Sequence, residues 1–382
     1  MARMVAPVAA PAAARRALRP TALALALLAA SPLQAQTPEP PPPHVASLGA
    51  CRLASGRTLD DCRVAYRSYG RLAPTRDNVV LVPTFFAGRS EDHRFMLGTY
   101  LDTTRHHVVV VDALADGHSS SPAHGAAAAR ALEALTIADM VDVQHRLLVE
   151  RLGIRHLRAV VGISMGGFQA FEWAVRHPGF ADAVVPILGS PRTTAHDRLI
   201  YALARGIAVD GTRPGADVPG AWRQVSRWES AVMRTPRLLG DSGDAWVARG
   251  VEELAGAYQA QRWALADYAA QLGAMERHDV AAPLGGDLRR AAAAVRARML
   301  IVWTPEDGIV SPAPAAEFAR LVGADTLAIA SPCGHAVFWC EAERIGRVVR
   351  EFLADDPGGA AGAARARMPA RPARRTPGAG KP

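Results

Sequence analysis

Residues 157–174 read LRAVVGISMGGFQAFEWA, and this stretch decides the fold. An apolar run typical of a buried strand leads into Gly-x-Ser-x-Gly, and a helical pattern begins directly after it. A strand that ends in so tight a turn and continues as a helix leaves its central residue, Ser164, on an exposed corner. Glycines fit on both sides because a side chain there would collide with the crossing strand and helix. The stretch therefore predicts a nucleophile elbow that presents Ser164.

Strands and helices alternate around this elbow from residue 77 onward. Such alternation is typical of a mostly parallel, doubly wound sheet, and an elbow within that sheet indicates the α/β-hydrolase fold. Predicted strands cover residues 79–83, 107–111, 157–161, 183–188, 298–303 and 325–330, and predicted helices cover residues 136–152 and 341–353. We expect the hydrolase core at residues 47–190 and 284–354.

The alternation stops between residues 191 and 283, where helix formers and aromatic residues are frequent and strand-like runs are absent. An insertion at this point would lie over the C-terminal ends of the strands, so we expect a helical lid over residues 191–283. Its aromatic residues are expected mainly to pack inside the lid, and a smaller share of them to contact substrate.

Both ends of the chain differ in composition from the core. A basic region followed by a short apolar run predicts a signal peptide over residues 1–35, with an uncleaved anchor as the alternative. Residues 36–46 form a Pro-rich linker in this interpretation, and residues 355–382 a disordered basic tail. The mature enzyme is therefore expected to be periplasmic or secreted, with no stable membrane span after cleavage.

The four cysteines can pair if the chain is exported, because disulfides persist in oxidising compartments. Cys51 and Cys62 lie symmetrically about a Ser-Gly turn, so a hairpin there would place them opposite each other. Cys333 and Cys340 bracket His335, and their pairing would clamp the loop that carries it. Without export, buried free thiols are the alternative for all four.

Composition and charge narrow the class of function. The chain is 49% hydrophobic and 21% charged, as in a globular enzyme. The formal net charge of +8 comes from the two ends, and the middle is close to neutral, so we expect no nucleic-acid partner. Lys381 is the only lysine, which excludes Schiff-base and P-loop chemistry from the core. We predict no cofactor and no metal.

A serine nucleophile needs a histidine to accept its proton and a carboxylate to orient that histidine, in the chain order Ser, acid, His. Asp307 follows the predicted strand that ends at residue 303, and it is the expected acid. The neighbouring Glu306 is the alternative. His335 is the only one of the twelve histidines that follows the acid, so it is the expected base.

The oxyanion formed during acyl transfer needs two backbone N–H donors. One should come from the residue after the nucleophile, Met165. The other should come from the loop after the first core strand, residues 83–88, where Phe86 is the expected donor.

The elbow region, residues 162–174, resembles that of the homoserine O-acetyltransferase-like family of α/β-hydrolases nearly throughout. Further similar segments lie at residues 66–70, in the loop through Gly88, at residues 307–310 and at Gly334-His335, but not in the lid. The resemblance implies an acyl-enzyme at Ser164, with Asp307 and His335 completing the triad, and a small-molecule ester or thioester substrate.

Two residue patterns depart from this family. Its acetyltransferases carry a Gly- and Thr-rich segment with a cysteine where residues 112–122 stand here, and an aspartate where Ala336 follows the histidine. That aspartate suits the ammonium group of homoserine, although Glu229 or Asp267 from the lid could replace it. Export would also remove the enzyme from acetyl-CoA.

These departures favour hydrolysis of an ester or thioester. The alternative is acyl transfer to an alcohol such as homoserine, and a third reading is a binding protein that has lost catalysis. The natural substrate stays open, as does the oligomeric state, for which a homodimer is one candidate.

Overall fold

An eight-stranded sheet forms the centre of the structure, a computed structural model in which residues 42–354 are described. The strands are β1 (His44–Ser47), β2 (Cys51–Arg52), β3 (Thr58–Leu59), β4 (Arg63–Tyr69), β5 (Val79–Pro83), β6 (His107–Val111), β7 (Leu157–Ile163), β8 (Ala181–Ile187), β9 (Arg298–Trp303) and β10 (Asp325–Ala328). Their order in the sheet is β1-β4-β6-β5-β7-β8-β9-β10, with β2 and β3 forming a separate hairpin. Strands β5 to β10 run parallel, whereas β1 and β4 are antiparallel to their neighbours. The predicted mostly parallel sheet is confirmed.

Helices cover both faces of this sheet. They are α1 (Ala126–Leu132), α2 (Ile137–Arg146), α3 (Met165–Arg176), α4 (Ala195–Asp210), α5 (Val218–Met233), α6 (Pro236–Ser242), α7 (Asp244–Ala260), α8 (Leu265–Glu276), α9 (Leu288–Ala294), α10 (Ala313–Val322), α11 (Val337–Cys340) and α12 (Ala342–Ala354). Along β5, Val79 and Leu81 join one hydrophobic cluster and Val80 and Val82 the other. A strand buried on both faces reads as a continuous apolar run, as this one does.

Helix α2 begins where its sequence signal stands. Thr136 accepts a hydrogen bond from the N–H of Asp139 at 3.1 Å, and the carboxylate of Asp139 accepts one from the N–H of Thr136 at 2.9 Å. This reciprocal capping box satisfies two N–H groups at the start of the helix. The sequence predicts a helix over residues 136–152. Its α-helical part ends at Arg146, and a π-helical turn over Leu147–Arg151 follows directly.

Helices α4 to α8, residues 195–276, form a helical segment between β8 and β9. Within it α4 packs on α8 and α5 packs on α7. Aromatic side chains fill much of the space between these helices, with Trp222 stacked on Tyr258 at 4.7 Å and edge-on to Tyr268 at 5.6 Å. Trp246 is an exception, since it is 40% exposed.

Two details near the start of the described chain correct the sequence analysis. Residues 44–46, predicted as linker, belong to β1, because they pair antiparallel with β4. In the β2–β3 hairpin Cys51 pairs with Leu59 and not with Cys62. After β3 the chain turns back so that the N–H of Cys62 donates to the carbonyl of Gly49 at 2.9 Å.

The predicted Cys51–Cys62 disulfide nevertheless forms, and so does Cys333–Cys340. The predicted signal peptide (1–35) and basic tail (355–382) lie outside the described residues. Within residues 42–354, no helix combines the length and apolar character that crossing a bilayer requires.

Candidate active site

Ser164 stands on the sharp turn between β7 and α3. Its backbone adopts φ 55° and ψ −121°, a conformation that side-chain-bearing residues rarely take. The N–H of Ser164 donates to the carbonyl of Ile187 in the neighbouring strand β8 at 2.8 Å. Packing and hydrogen bonding around the turn therefore hold a strained residue at the carboxyl edge of the sheet, which is where strain serves function.

The glycines beside Ser164 are required by close backbone approach. A Cβ on Gly162 would lie 2.0 Å from the carbonyl oxygen of Gly166, and a Cβ on Gly166 would lie 2.5 Å from that of Pro83. Neither backbone oxygen can swing away as a flexible side chain could. The elbow's geometry thus depends on glycine at both positions.

Three side chains form a continuous hydrogen-bonded row at this edge. The Nε2 of His335 lies 2.9 Å from the Oγ of Ser164, and its Nδ1 lies 2.6 Å from the Oδ2 of Asp307. The side chains of His335 and Asp307 are each only 2% exposed. In this arrangement the imidazole can accept the hydroxyl proton of Ser164 while Asp307 stabilises the resulting cation.

Asp307, and not Glu306, contacts the histidine. The second oxygen of Asp307 accepts hydrogen bonds from the N–H groups of Ile309 at 3.0 Å and Val310 at 2.9 Å, which orient the carboxylate. The carboxylate of Glu306 instead accepts the hydroxyl of Thr304 at 2.9 Å. Of the two acids left open by the sequence, the structure brings only Asp307 to His335.

The loop of His335 is anchored on both sides. A 3-10 turn, Gly334–Ala336, carries the histidine between the two cysteines of the Cys333–Cys340 disulfide. Further on, the hydroxyl of Tyr100 donates to the carbonyl of Phe338 at 2.7 Å. These links fix the position of the loop that carries the imidazole.

The loop after β5 holds Phe86 between two anchored residues. The N–H of Phe85 donates to the Nε2 of His93 at 3.1 Å, and the N–H of Ala87 donates to the Oε1 of Gln271 at 3.0 Å. Among the hydrogen bonds of the described residues, the N–H of Phe86 has no acceptor. A backbone donor left free beside the nucleophile has the character that an oxyanion hole requires.

His93 acts here as a neutral imidazole. Burial lowers the pKa of His93 to about 4, so the ring carries one proton at neutral pH. Its Nδ1 lies 2.9 Å from the carbonyl of Arg89 and must donate, which leaves Nε2 to accept from Phe85. His93 and Gln271 were not identified from the sequence, because neither belongs to a motif and both act through tertiary contacts.

A cavity of about 260 Å³ opens beside Ser164 and His335. Helices α5, α7 and α8 of the helical segment line it together with the loops after β5 and around His335. Of the two lid carboxylates left open by the sequence, Glu229 lines this cavity. Asp267 does not, because its carboxylate accepts the N–H of Ala123 at 2.9 Å elsewhere.

One group of side chains within residues 42–354 has metal-ligand geometry, namely Asp112, Asp116 and His118, whose candidate ligand atoms lie within 4.8 Å of one another. The N–H and hydroxyl of Ser90 already donate to Asp112 at 2.6 and 2.8 Å. Burial and the neighbouring charge of Asp112 raise the pKa of Asp116 well above its usual range. A proton held between the two carboxylates would therefore satisfy the pair without an ion.

Comparison with known proteins places this geometry among hydrolases. The family model described as alpha/beta hydrolase fold matches residues 77–204. An acetylester hydrolase structure from Corynebacterium glutamicum superposes with a TM-score of 0.75, covering 82% of this chain and 96% of that one at 24% identity. The α/β-hydrolase fold predicted from the elbow is thereby confirmed.

Sequence relatives include both esterases and acyltransferases. An ethyl acetate hydrolase from Pseudomonas veronii is 36% identical over 163 residues, which are 41% of this chain and 47% of that enzyme. The match thus spans about half of the esterase's length. A homoserine O-acetyltransferase from Chlorobaculum tepidum is 28% identical over 333 residues, covering 79% of this chain and 91% of that enzyme.

Proposed function

Because this chain belongs to the homoserine O-acetyltransferase-like family of α/β-hydrolases, we propose that it is an exported serine esterase that hydrolyses a small ester or thioester. The observation that carries the proposal is the hydrogen-bonded row from Asp307 through His335 to Ser164. In the reaction, Ser164 attacks the acyl carbon as its proton passes to Nε2 of His335, and that proton then protonates the leaving alcohol or thiol.

The backbone N–H groups of Phe86 and Met165 stabilise the oxyanion in this proposal. Such donors contribute roughly 3 kcal/mol each to lowering the barrier. Water then attacks the acyl-enzyme with His335 as base, which releases the acid and restores Ser164. The helical segment acts as the lid that limits which esters reach the site.

The charges of the cavity support water over homoserine as acceptor. Among the described residues that line it there is no Arg or Lys to pair with the carboxylate of homoserine. Burying that carboxylate unpaired would cost several kcal/mol. The argument from Ala336 alone is weaker than the sequence suggested, because Glu229 could meet the ammonium group.

The relatives keep the transferase as the second candidate function. An assay with acetyl-CoA or a nitrophenyl ester as donor, each with and without homoserine, separates the two. We expect free acid as the product from the nitrophenyl ester and no dependence on homoserine. O-acetylhomoserine as the main product would establish the transferase instead.

Export is supported by the two disulfides, which are typical of oxidising compartments. Protein isolated from the periplasm of an expressing bacterium should begin near Gln36 and resist alkylation until it is reduced. Four reactive thiols in protein that has been unfolded without reduction would argue against both disulfides and remove this support.

A further inference from the structure

The active-site cavity combines aromatic rings with a carboxylate. Its aromatic lining residues are Phe85, Phe86, Tyr258, Phe338 and Trp339. The acids among its described lining residues are Asp92 and Glu229. The carboxylate of Asp92 accepts the N–H of Arg89 at 2.8 Å, at the start of the 3-10 helix Ser90–Met96, so part of its hydrogen-bonding capacity is used.

Glu229 has a hydrogen-bond partner within the helical segment. The hydroxyl of Tyr258, which also lines the cavity, donates to its Oε2 at 2.7 Å. Burial raises the pKa of Glu229, and the hydrogen bond from Tyr258 and the charge of Arg234 oppose this rise only in part. Arg234 stacks on Trp246 at 5.3 Å and does not line the cavity.

Glu229 and His335 line the same cavity. In the proposed reaction His335 delivers a proton to the leaving alcohol, so the alcohol part lies on the imidazole side of the cavity. A carboxylate that lines the same cavity can therefore meet a charge carried by that alcohol part. Aromatic faces beside an anion are the surroundings in which proteins bind organic ammonium groups.

We propose that this cavity binds an ammonium group carried by the alcohol part of the ester, with Glu229 as the specificity-determining residue. The inference rests on the proposed esterase function and goes beyond it by naming a substrate class. A cationic alcohol part can interact with the carboxylate and with the ring faces at the same time. An anionic one meets carboxylates and no Arg or Lys among the described lining residues.

The test compares two acetates of the same shape, acetylcholine and its uncharged carbon isostere dimethylbutyl acetate, with nitrophenyl acetate as the reference substrate. Wild-type enzyme should show a kcat/KM about tenfold higher for the cationic ester than for the isostere. Glu229→Gln should bring this ratio close to one, and Glu229→Asp should retain part of it. Glu252→Gln removes an exposed carboxylate from α7 and should leave the ratio unchanged.

The outcomes separate the inference from the function on which it rests. If nitrophenyl acetate is hydrolysed but the cationic ester is no better a substrate than the isostere, the inference is overturned. A ratio that survives Glu229→Gln overturns the role of Glu229. Choline should inhibit the wild type more strongly than dimethylbutanol, and this comparison tests the inference without a variant. Failure to hydrolyse any of the three esters would overturn the esterase function itself.

Discussion

The carboxyl edge of the sheet and the helical segment above it hold their functional groups by different means. At the edge, Ser164 is placed by backbone, since a Cβ on Gly162 would lie within 2.0 Å of a carbonyl oxygen. In the helical segment, Glu229 is held by a side-chain hydrogen bond from Tyr258 of α7, and a Cβ on Gly256 would meet nothing within 4 Å. In the proposed function, the chemistry therefore depends on tightly packed backbone, whereas the selectivity assigned to Glu229 depends on side-chain packing.

The sharpest test of the edge is removal of its nucleophile. Ser164→Ala should lower kcat by a factor on the order of 10⁶, by analogy with the serine-protease example from which that magnitude comes. Labelling by a fluorophosphonate should disappear while the circular dichroism spectrum stays the same, because only a hydroxyl is lost. Persistent labelling would place the nucleophile elsewhere and remove the contrast between the two regions.

Asp307, the acid of the hydrogen-bonded row, is expected to have the next largest effect on kcat. Asp307→Asn should lower kcat roughly 10⁴-fold, as the same exchange does in the serine-protease example, because an amide favours the wrong histidine tautomer. Glu306→Gln is the matched control and should cost far less, since Glu306 bonds Thr304 and not His335. The reverse ranking in steady-state kinetics would transfer the role to Glu306.

A pair of identical substitutions compares the backbones of the two regions directly. Gly162→Ala forces a carbonyl to move and should destabilise the fold by about 1–3 kcal/mol or more. Gly256→Ala, on the exposed face inside α7, should stabilise it by about 0.5–1 kcal/mol through helix propensity. Urea unfolding of both variants measures the difference, and equal effects would show that the helical segment is as constrained as the elbow.

The last expected effect concerns Glu172, a buried acid of the elbow helix α3. Burial raises the pKa of Glu172 to about 7, and the guanidinium of Arg176, 3.9 Å away, opposes this only in part. Between the ordinary glutamate pKa and this value the folded state keeps a proton that the unfolded chain releases, so the free energy of unfolding should fall as pH rises. Glu172→Gln should remove a slope on the order of 1 kcal/mol per pH unit between about pH 5 and pH 7. Unfolding curves that keep the slope in this variant would assign it to another group.

The same contrast explains how far sequence reasoning reached. The sheet and the elbow follow from local patterns, because apolar runs and glycine spacing constrain them within a few residues. The pairing of Ser164 with His335, which lie 171 residues apart, follows from the chain order of the triad. The sequence favoured Asp307 and left Glu306 as the alternative, and the structure brings only Asp307 to His335, since adjacent carboxylates differ in direction. The disulfide of Cys51 with Cys62 formed through a turn after β3 and not across the hairpin, a register that symmetry of spacing could not supply.

The contributions of His93, Gln271 and Glu229 had no local signal. Each depends on how a distant element packs, as when Gln271 of α8 reaches the N–H of Ala87 across 184 residues of sequence. Glu229 was one of two lid carboxylates considered, and only the packing of α5, α7 and α8 distinguishes it from Asp267. In a helical segment without sequence motifs, residues of this kind can be identified only once the packing of the helices is known.

In the proposed reaction an acyl group is transferred to Ser164 and then to water. Rapid mixing with nitrophenyl acetate, followed by acid quench and mass analysis of the peptide that carries Ser164, measures this directly, with millimolar homoserine present or absent during decay. We expect a transient acetyl group on Ser164 that decays to acetate at a rate independent of homoserine. An acetyl group on another residue, or decay accelerated by homoserine with O-acetylhomoserine as product, would contradict the claim.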